Sequence, residues 1–562
     1  MNGTLPDHLI VAPILIPFVA GALMLFYDDR ARAARLVISL ISTLSLLIVA
    51  GMLLAQSEGS NSTGGNDVGV YLLGNWPPPF TIVLVLDRLS ALMLLLTACL
   101  ALPALLFASA GWDRQGQHFH SLFQFLLMGL NGAFLTGDLF NLFVFFEVLL
   151  AASYGLLLHG SGRARVRSGL HYIAVNLVAS LFFLVGVSLI YGVTGTLNMA
   201  DLALKLSVLP AEDRPLVLAA AAILGVVFAV KAGMWPLSFW LPGAYMSAAA
   251  PVGAIFAVMT KVGLYVILRL STLLFGADAT VAAGFGAYVV LLGGLATLFY
   301  GMIGLMAAQG LPRVASFSVL ISAGTILSAI GLGIFSGPQM YASALYYMLA
   351  STLAASALFL ISELMEREQG AIATMLAVTA DAYGFGDQDP EDEPEQTDGG
   401  LFLTATHTIL ALSFAVITLI LAGMPPLAGF LGKVGLITGA LAGPASQPVP
   451  PVVWAYIALL ILSGFATLVV LVRIGIHTFW APMEEIAPRI RVAELVPIVM
   501  LIGFSLLLTL EARPVMRYLG QTGAMLENPA IYIHAVTAEQ PSTGIPLSET
   551  GNGRASAGGV TQ

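Results

Sequence analysis

One carboxylate and three lysines of this sequence lie in stretches that are otherwise apolar. Glu147 stands in the run Asp138-Leu-Phe-Asn-Leu-Phe-Val-Phe-Phe-Glu-Val-Leu-Leu150, and Lys231, Lys261 and Lys433 lie in three further apolar segments. An ionised side chain at the centre of a lipid bilayer costs at least about 3 kcal/mol. Such residues are expected to have a partner or a function. Because carboxylates and lysines exchange protons, the four together predict a route for protons.

The use of lysine supports this interpretation. The chain has four lysines and eighteen arginines, and three of the lysines lie inside apolar segments. Arginine stays charged in proteins, whereas a buried lysine can shift its pKa and release its proton. Lys261 is about nine residues, or roughly 13 Å, from either end of its predicted helix, so its ammonium group reaches the membrane surface poorly. Each lysine alone could form a structural ion pair, but chance packing is a poor explanation for three lysines in apolar segments.

Glu147 is the natural counter-charge for Lys231. A carboxylate beside a lysine favours the charged form of both groups, and their separation favours the neutral forms. Such a pair can act as a switch that releases a proton when it opens; the alternative is a static salt bridge between two spans. Asp138, at the membrane edge, could cap the fifth helix. Ser238 and Tyr265 are weaker candidates for holding water between the lysines.

Composition places most of the chain in lipid. The 562 residues are 58% hydrophobic and 9% charged, whereas a soluble domain has about 25% charged residues. Open sheets leave backbone groups unpaired in lipid, and the segments lack the short alternation of a barrel. The sequence therefore predicts an all-α polytopic membrane protein with about fourteen transmembrane helices. The predicted spans are 9–26, 34–55, 83–107, 120–136, 138–158, 168–192, 216–246, 252–275, 280–307, 313–335, 340–362, 402–441, 452–480 and 492–512.

Several classes of site are excluded by the same composition. The single cysteine, Cys99, excludes disulfides within the chain and clusters held by cysteines. His118 and His120 flank one residue in a loop, which is more typical of a solvated pair than of a metal site. No dinucleotide fingerprint or phosphate loop is present, so we expect no bound cofactor. The net charge of −9 owes much to one acidic loop and gives no indication of nucleic-acid binding.

Arginines set the expected orientation. The positive-inside rule places loops rich in arginine in the cytoplasm and, with fourteen spans, both termini outside. The arginines concerned are Arg30, Arg32, Arg35, Arg163, Arg165, Arg167, Arg313, Arg489 and Arg491.

A short motif occurs twice. Ala232-Gly-Met-Trp-Pro-Leu237 in the seventh span recurs as Ala422-Gly-Met-Pro-Pro-Leu427 in the twelfth, with five of six positions identical. The offset of five spans gives the two copies opposite orientations in the membrane. This pattern predicts an inverted repeat whose paired helices 7 and 12 are broken near the midplane, where transporters place ion sites.

These motifs resemble a known family. Gly137-Asp-Leu-Phe-Asn-Leu-Phe-Val-Phe-Phe-Glu147, Lys231-Ala-Gly-Met-Trp-Pro-Leu237 and Gly423-Met-Pro-Pro-Leu-Ala-Gly-Phe-Leu-Gly-Lys433 resemble the D-type subunit of the multisubunit Mrp (Pha-type) sodium/proton antiporter. That subunit is similar to the antiporter-like membrane subunits of respiratory complex I and of membrane hydrogenases. The resemblance runs from the first span to about residue 535.

The resemblance implies a fold and a set of roles. It implies fourteen helices with inverted five-helix repeats, spans four to eight against spans nine to thirteen. It also implies a pair of Glu147 and Lys231, a connecting lysine at Lys261 and an exit-side lysine at Lys433. In the eleventh span, many relatives carry a histidine, often with a lysine one turn later, where 346–355 here has alanines. We therefore expect the route from Lys261 to Lys433 to depend on water, with modest help from Ser351 or Thr352.

The expected organisation follows from the spans and the resemblance. Spans 1–3 occupy 1–119, the first repeat 120–275, and the second repeat 280–480, which includes an acidic cytoplasmic loop at 363–400. Span 14 occupies 492–512, and an external tail occupies 513–562, disordered from about 535.

The expected function is that of a proton-translocating subunit of a monovalent cation/proton antiporter. It would lie in the bacterial cytoplasmic (inner) membrane with other membrane subunits as partners, and sodium as the coupling ion is implied by the resemblance. One alternative is the proton-pumping subunit of a complex I-like NADH:quinone oxidoreductase or of a membrane hydrogenase, which would use the same lysines. The other is a membrane scaffold with inert buried ion pairs.

Overall fold

The structure of the chain, a computed structural model, describes residues 7–27, 31–59, 68–276, 283–383, 405–442, 448–479 and 491–539. Four sequence predictions lie outside these residues. They concern Arg30, Arg489, the acidic cluster at 387–398 and the tail after residue 539.

The described part is almost entirely helical. Two strands, β1 (Gly69–Leu72) and β2 (Val83–Leu86), form an antiparallel hairpin. The helices are α1 (Ala12–Leu25), α2 (Arg32–Gly59), α3 (Arg88–Ser109), α4 (Phe119–Leu135), α5 (Leu139–Leu158), α6 (Arg163–Thr194), α7 (Met199–Ser207), α8 (Arg214–Ala232), α9 (Trp240–Ser247), α10 (Ala250–Phe275), α11 (Ala287–Met306), α12 (Leu311–Ser336), α13 (Pro338–Tyr383), α14 (Ala405–Ala422), α15 (Ala428–Leu441), α16 (Pro451–Phe479), α17 (Val492–Leu510), α18 (Ala512–Glu527) and α19 (Pro529–Ala538).

The helices agree with a polytopic membrane protein. Eleven helices of the described part are long and apolar enough to cross a membrane. Shorter apolar helices include α1, α4, α14 and α15. Each predicted span overlaps at least one helix. The count of fourteen requires α1, α4 and the α14–α15 segment to cross as well, and it remains a prediction.

Three predicted boundaries are wrong. The third span was expected from residue 83, but 83–86 form β2, because these four residues pair with β1 and Asp87 then caps α3. The acidic loop was expected from 363, but α13 continues to Tyr383 through a stretch rich in Ala, Met and Leu, which favour helix. Disorder was expected from about 535, but α19 extends to Ala538.

The two copies of the repeated motif break their helices in the same way. Gly233 follows α8 with φ 71°, and Gly423 follows α14 with φ 77°. At both sites the amide of the next methionine donates to the carbonyl five residues earlier, at 2.9 Å. The prolines after these turns have no amide hydrogen with which to continue the helix. The motif therefore specifies one local structure twice.

Arginines from distant loops meet at one place. The segment 110–114, which follows α3, contacts Arg32, Arg165 and Arg491. Arg32 forms a two-pronged ion pair with Asp113, at 2.6 and 2.8 Å. The guanidinium of Arg165 lies 4.9 Å from the centroid of the indole ring in this segment, and Arg491 donates to one of its carbonyls at 2.8 Å. These three arginine-bearing loops therefore lie on the same face of the protein.

Helix α10 lies at the centre of the structure and carries a buried arginine that the sequence analysis did not select. Arg269 Nη1 lies 2.6 Å from Asp87 Oδ2, and both side chains are buried. Asp87 also caps α3 by accepting from the Ser90 amide at 2.8 Å. The rings of Tyr265 and Tyr532 lie 5.4 and 5.1 Å from the guanidinium carbon. This ion pair joins α3, α10 and the C-terminal helix α19.

Loss of one member of this pair should destabilise the protein. Arg269→Leu leaves the Asp87 carboxylate buried without its cation, so we expect a loss of about 3–5 kcal/mol. It would be measured as a lower unfolding temperature of the purified protein and a lower amount in membranes. The double variant Asp87→Asn/Arg269→Leu removes both charges and retains a capping side chain, so it should recover part of the loss. Equal losses in the single and double variants would contradict this account.

Candidate functional site

Glu147 occupies the middle of α5 and is half-buried in the described part of the chain. Its carboxylate accepts a hydrogen bond from the hydroxyl of Ser180 on α6. The side chains of Phe146 and Leu149 beside it are buried, at 2% exposure each. The carboxylate therefore has one polar partner in an apolar wall, and that partner belongs to the next helix.

Lys231 lies in the last turn of α8 and is 7% exposed. Its ammonium nitrogen donates to Asn176 Oδ1 on α6 at 3.3 Å and lies 5.4 Å from the ring centroid of Phe146. The Glu147 carboxylate is close enough to act on it electrostatically. No hydrogen bond or ion pair joins Glu147 and Lys231 directly within the described residues. The structure thus brings the predicted pair close together without direct contact.

Helix α6 provides the connection between these two charges. Asn176, the partner of Lys231, and Ser180, the partner of Glu147, are four residues apart and so lie one turn apart on the same face. We call these two residues the α6 polar pair. Both are buried, at 1% and 6% exposure. The α6 polar pair is therefore the polar surface between the carboxylate and the lysine.

Lys261 is 1% exposed in the middle of α10. Its ammonium nitrogen donates to Ser322 Oγ on α12 at 2.8 Å. The same serine oxygen lies 2.8 Å from Ser351 Oγ on α13. The lysine is therefore connected through two hydroxyls to the eleventh predicted span. Thr352, the other expected helper there, donates instead to the Met348 carbonyl of its own helix at 2.6 Å.

Lys433 lies in α15 and is 8% exposed. Its ammonium nitrogen donates at 2.8 Å to the carbonyl of Ala422, the last residue of α14. The turn at Gly423 leaves helix-terminal carbonyls without an intrahelical amide partner, so they are available to a cation. A Cβ added at Gly464 of α16 would come within 2.4 Å of the ammonium nitrogen. The second helix break thus holds a lysine, and a glycine of α16 makes room for it.

The weaker candidates have other roles in the structure. Asp138 caps α5 by accepting from the Asn141 amide at 2.9 Å. The Tyr265 hydroxyl donates to the Phe134 carbonyl at 2.7 Å and faces Arg269. The Ser238 hydroxyl is buried and makes no hydrogen bond within the described part of the chain. Within the described residues, none of these three side chains forms a hydrogen bond or ion pair with Lys231, Lys261 or Lys433.

Sequence reasoning missed the polar partners of the charges. Tyr172, Asn176 and Ser180 form a buried stripe with a spacing of four residues on α6. On α10, Lys261 and Tyr265, which were selected from the sequence, form another stripe with Arg269, which was not. A search for polar residues at helical spacing would have found both stripes. Ser322 has no such signal, because α12 contains several serines and only the packing shows which one faces α10.

The described residues offer no group of metal-ligating side chains. A cavity of about 780 Å³ lies on the arginine-rich face, and its lining includes the charged residues Arg165, Glu363 and Arg367. Its lining also includes Tyr245 and Phe359. Glu363 is held there by the Trp112 indole nitrogen and by Arg367, at 2.7 Å each.

Comparison with known proteins agrees with this architecture. The family model described as NADH:quinone oxidoreductase/Mrp antiporter, transmembrane, matches residues 136–457. A probable D-type K(+)/H(+) antiporter subunit of Rhizobium meliloti is 52% identical, covering 94% of this chain and 97% of its own length. The D-type Na(+)/H(+) antiporter subunit of Alkalihalophilus pseudofirmus is 35% identical, covering 95% and 100%.

A solved structure adds a match in three dimensions. A chain in the Mrp complex from a Dietzia species superposes with a TM-score of 0.76 at 28% identity, over 95% of this chain and 100% of that one. The segment matched by the family model contains both helix breaks and all four charged residues of the site. On these similarities, the chain belongs to the NADH:quinone oxidoreductase/Mrp antiporter family of membrane proteins.

Proposed function

We propose that this chain is the proton-translocating D-type subunit of a multisubunit monovalent cation/proton antiporter, with Glu147, Lys231, Lys261 and Lys433 as its relay. One observation carries the proposal. Three lysines are buried in the apolar interior, and each donates a hydrogen bond to a neutral oxygen rather than to a carboxylate. A neutral partner does not fix the proton on the amine in the way that a direct ion pair does. Such lysines are suited to gain and lose protons.

The relay begins at the first helix break. When Glu147 moves closer to Lys231, the carboxylate stabilises the charged amine; when it moves away, the amine is free to release its proton. The α6 polar pair holds the two groups one helical turn apart and so sets their distance. Lys261 receives the proton next, and Lys433, at the second break, is the exit-side site. Each proton that crosses a potential of 100 mV gains or costs about 2.3 kcal/mol.

The matched breaks support two inverted repeats. The proposed repeats are residues 120–275 and 280–480, with spans 1–3 before them in 1–119 and span 14 at 492–512 after them. The same turn geometry occurs in both breaks, and a lysine ammonium lies at each. Fourteen spans with the arginine-rich face in the cytoplasm would place both termini, including the tail 513–562, outside.

Partners and cation follow from the relatives. The solved relative is part of a multisubunit Mrp complex, which supports other membrane subunits as partners of this chain in the bacterial cytoplasmic (inner) membrane. The 52% identical relative is named for K(+) and the 35% identical one for Na(+). Sodium as the coupling ion therefore stays a prediction, and the proposal is antiport of a monovalent cation. Nothing in the proposal requires a bound redox cofactor in this chain.

Cation-driven proton movement tests the proposal. In everted membrane vesicles that contain the whole complex, added Na⁺ or K⁺ should dissipate an imposed pH gradient without any electron donor. Lys231→Ala should abolish this dissipation, because the relay loses the group that exchanges its proton with the Glu147 switch. The readout is the fluorescence of a pH-gradient dye, normalised to the amount of assembled complex.

A matched control is available in the fourth lysine. Lys205 lies on α7, is 39% exposed and pairs with Asp201 at 3.2 Å. Lys205→Ala should leave transport unchanged. Transport that survives in an assembled Lys231→Ala complex would refute the role of the relay. A gradient that responds only when an electron donor is supplied would favour the oxidoreductase alternative.

The α6 polar pair gives a second prediction. Ser180→Ala removes the donor to Glu147, and a hydrogen bond to a charged group contributes about 1.5–3 kcal/mol. We therefore expect the rate of cation-driven proton movement to fall about tenfold or more in complexes that assemble normally. Ser188→Ala, on an exposed position of the same helix, is the control and should behave as wild type. Equal rates in both variants would show that Ser180 does not position the carboxylate.

A further inference from the structure

Two helices separate the connecting lysine from the exit-side lysine. Helices α12 and α13 each pack against α10, which carries Lys261, and against α15, which carries Lys433. A proton that travels between these lysines must therefore cross the α12–α13 layer. Buried hydroxyls are the polar groups that the two helices offer there.

Ser322 and Ser351 form a continuous link in this layer. The Lys261 ammonium donates to Ser322 Oγ at 2.8 Å, and Ser322 Oγ lies 2.8 Å from Ser351 Oγ. The serines are 2% and 5% exposed. One hydroxyl comes from α12 and the other from α13, so the link crosses from one helix to the other.

The donors and acceptors of Lys261, Ser322 and Ser351 limit which group can donate in each hydrogen bond. A protonated lysine has donors only, so Ser322 must accept from it. The single O–H of Ser322 is then available to donate to Ser351. The O–H of Ser351 has only a long bond, 3.3 Å, to the Met348 carbonyl of its own helix. A chain of hydrogen bonds that runs from Lys261 through Ser322 to Ser351 is therefore compatible with the donors and acceptors of the three groups.

Neighbouring hydroxyls behave differently. A serine or threonine in a helix commonly donates to a carbonyl one turn earlier in its own helix. Seven others in α12 and α13 do so at 2.6–2.9 Å: Ser316, Ser318, Thr325, Ser328, Ser343, Thr352 and Ser362. Ser322 makes no such bond among the described residues. Its hydroxyl is directed instead to two neighbouring helices, which is the arrangement that proton transfer requires.

The far end of the link leads toward the second helix break. Tyr347 lies one turn from Ser351 on α13, and its hydroxyl interacts with the side chain of Thr325. Its backbone packs closely on Gly432, the residue before Lys433: a Cβ there would lie 3.1 Å from the Tyr347 Cα. The side of α13 beyond Ser351 therefore packs a tyrosine against Gly432, the residue that precedes the exit-side lysine.

We infer that the hydroxyls of Ser322 and Ser351 pass protons from Lys261 toward Lys433. This inference rests on the proposed function. It assigns proton transfer between Lys261 and Lys433 to two serines, because the eleventh predicted span has alanines where the resemblance led us to expect a histidine.

Proton transfer through the two serines needs no reactant other than water. The Lys261 ammonium gives one proton to Ser322 Oγ and becomes a neutral amine. Ser322 gives its own hydroxyl proton to Ser351 Oγ, and Ser351 gives its own to a water molecule on the Tyr347 side. Both serines end as neutral hydroxyls, and their rotation restores the starting order. One proton has then crossed from α10 to α13.

Single substitutions in the whole complex test this link. Ser322→Ala or Ser351→Ala removes one of the two hydroxyl oxygens of the link. In the vesicle assay, each variant should lower cation-driven proton movement at least about tenfold, since a positioned proton-transfer group typically contributes about 100-fold or more. Ser328→Ala and Thr352→Val remove hydroxyls bonded within their own helices and should leave the rate within twofold of wild type. Ser351→Thr retains a hydroxyl and should restore most of the rate.

The outcomes separate this inference from the proposed function. Rates above half of wild type in both serine variants, with Lys231→Ala inactive in the same assay, overturn the hydroxyl link and leave the relay in place. An active Lys231→Ala complex overturns the proposed function and the link with it. A loss in Ser351→Ala that Ser351→Thr does not restore shows a packing role and also overturns the link. If Ser322→Ala fails to assemble, Ser351→Ala, which keeps the Lys261–Ser322 bond, decides by the same criterion.

Discussion

The central constraint on this protein is the cost of keeping amines in an apolar interior. Three lysines lie buried among membrane helices, at 7%, 1% and 8% exposure, and a charge in that environment costs several kcal/mol unless it is compensated. The structure compensates each with one hydrogen bond to a neutral oxygen. This is enough to keep the amine in place and too little to fix its charge. The helices packed around the three lysines supply these three oxygens.

One of the three oxygens that bind a lysine belongs to a helix break. At the second break, the end of α14 exposes a carbonyl that accepts from Lys433. At the first break, Lys231 lies in the last turn of α8 and turns to the α6 polar pair instead. The contrast with Arg269 is informative. That cation is paired directly with a carboxylate at 2.6 Å, and arginine does not give up its proton. The same helix, α10, thus carries a fixed charge for stability and, two turns away, an amine suited to exchange.

Sequence patterns predicted the fold and the charges but not the contacts between helices. Hydropathy located a helix in every predicted span, because lipid demands long apolar segments, and Gly-Met-Trp-Pro and Gly-Met-Pro-Pro predicted both breaks. Lys231, Lys261 and Lys433 were evident because lysine is rare in this chain. Asn176, Ser180 and Ser322 were not, since polar residues are common in membrane helices and only packing decides which of them face a lysine. The strand at 83–86 was hidden by its apolar composition, which suits a buried strand as well as a helix.

In the proposed function, protons move through side chains of this chain within the membrane. The most direct measurement is the transient current that follows a rapid pH jump, in the absence of transported cation, on a supported membrane carrying the whole complex. A proton that moves part of the way across the bilayer displaces charge even when no turnover is completed. We expect a transient current in the wild-type complex and its loss in an assembled Lys261→Met complex. An unchanged transient in that variant would show that the protons take another route.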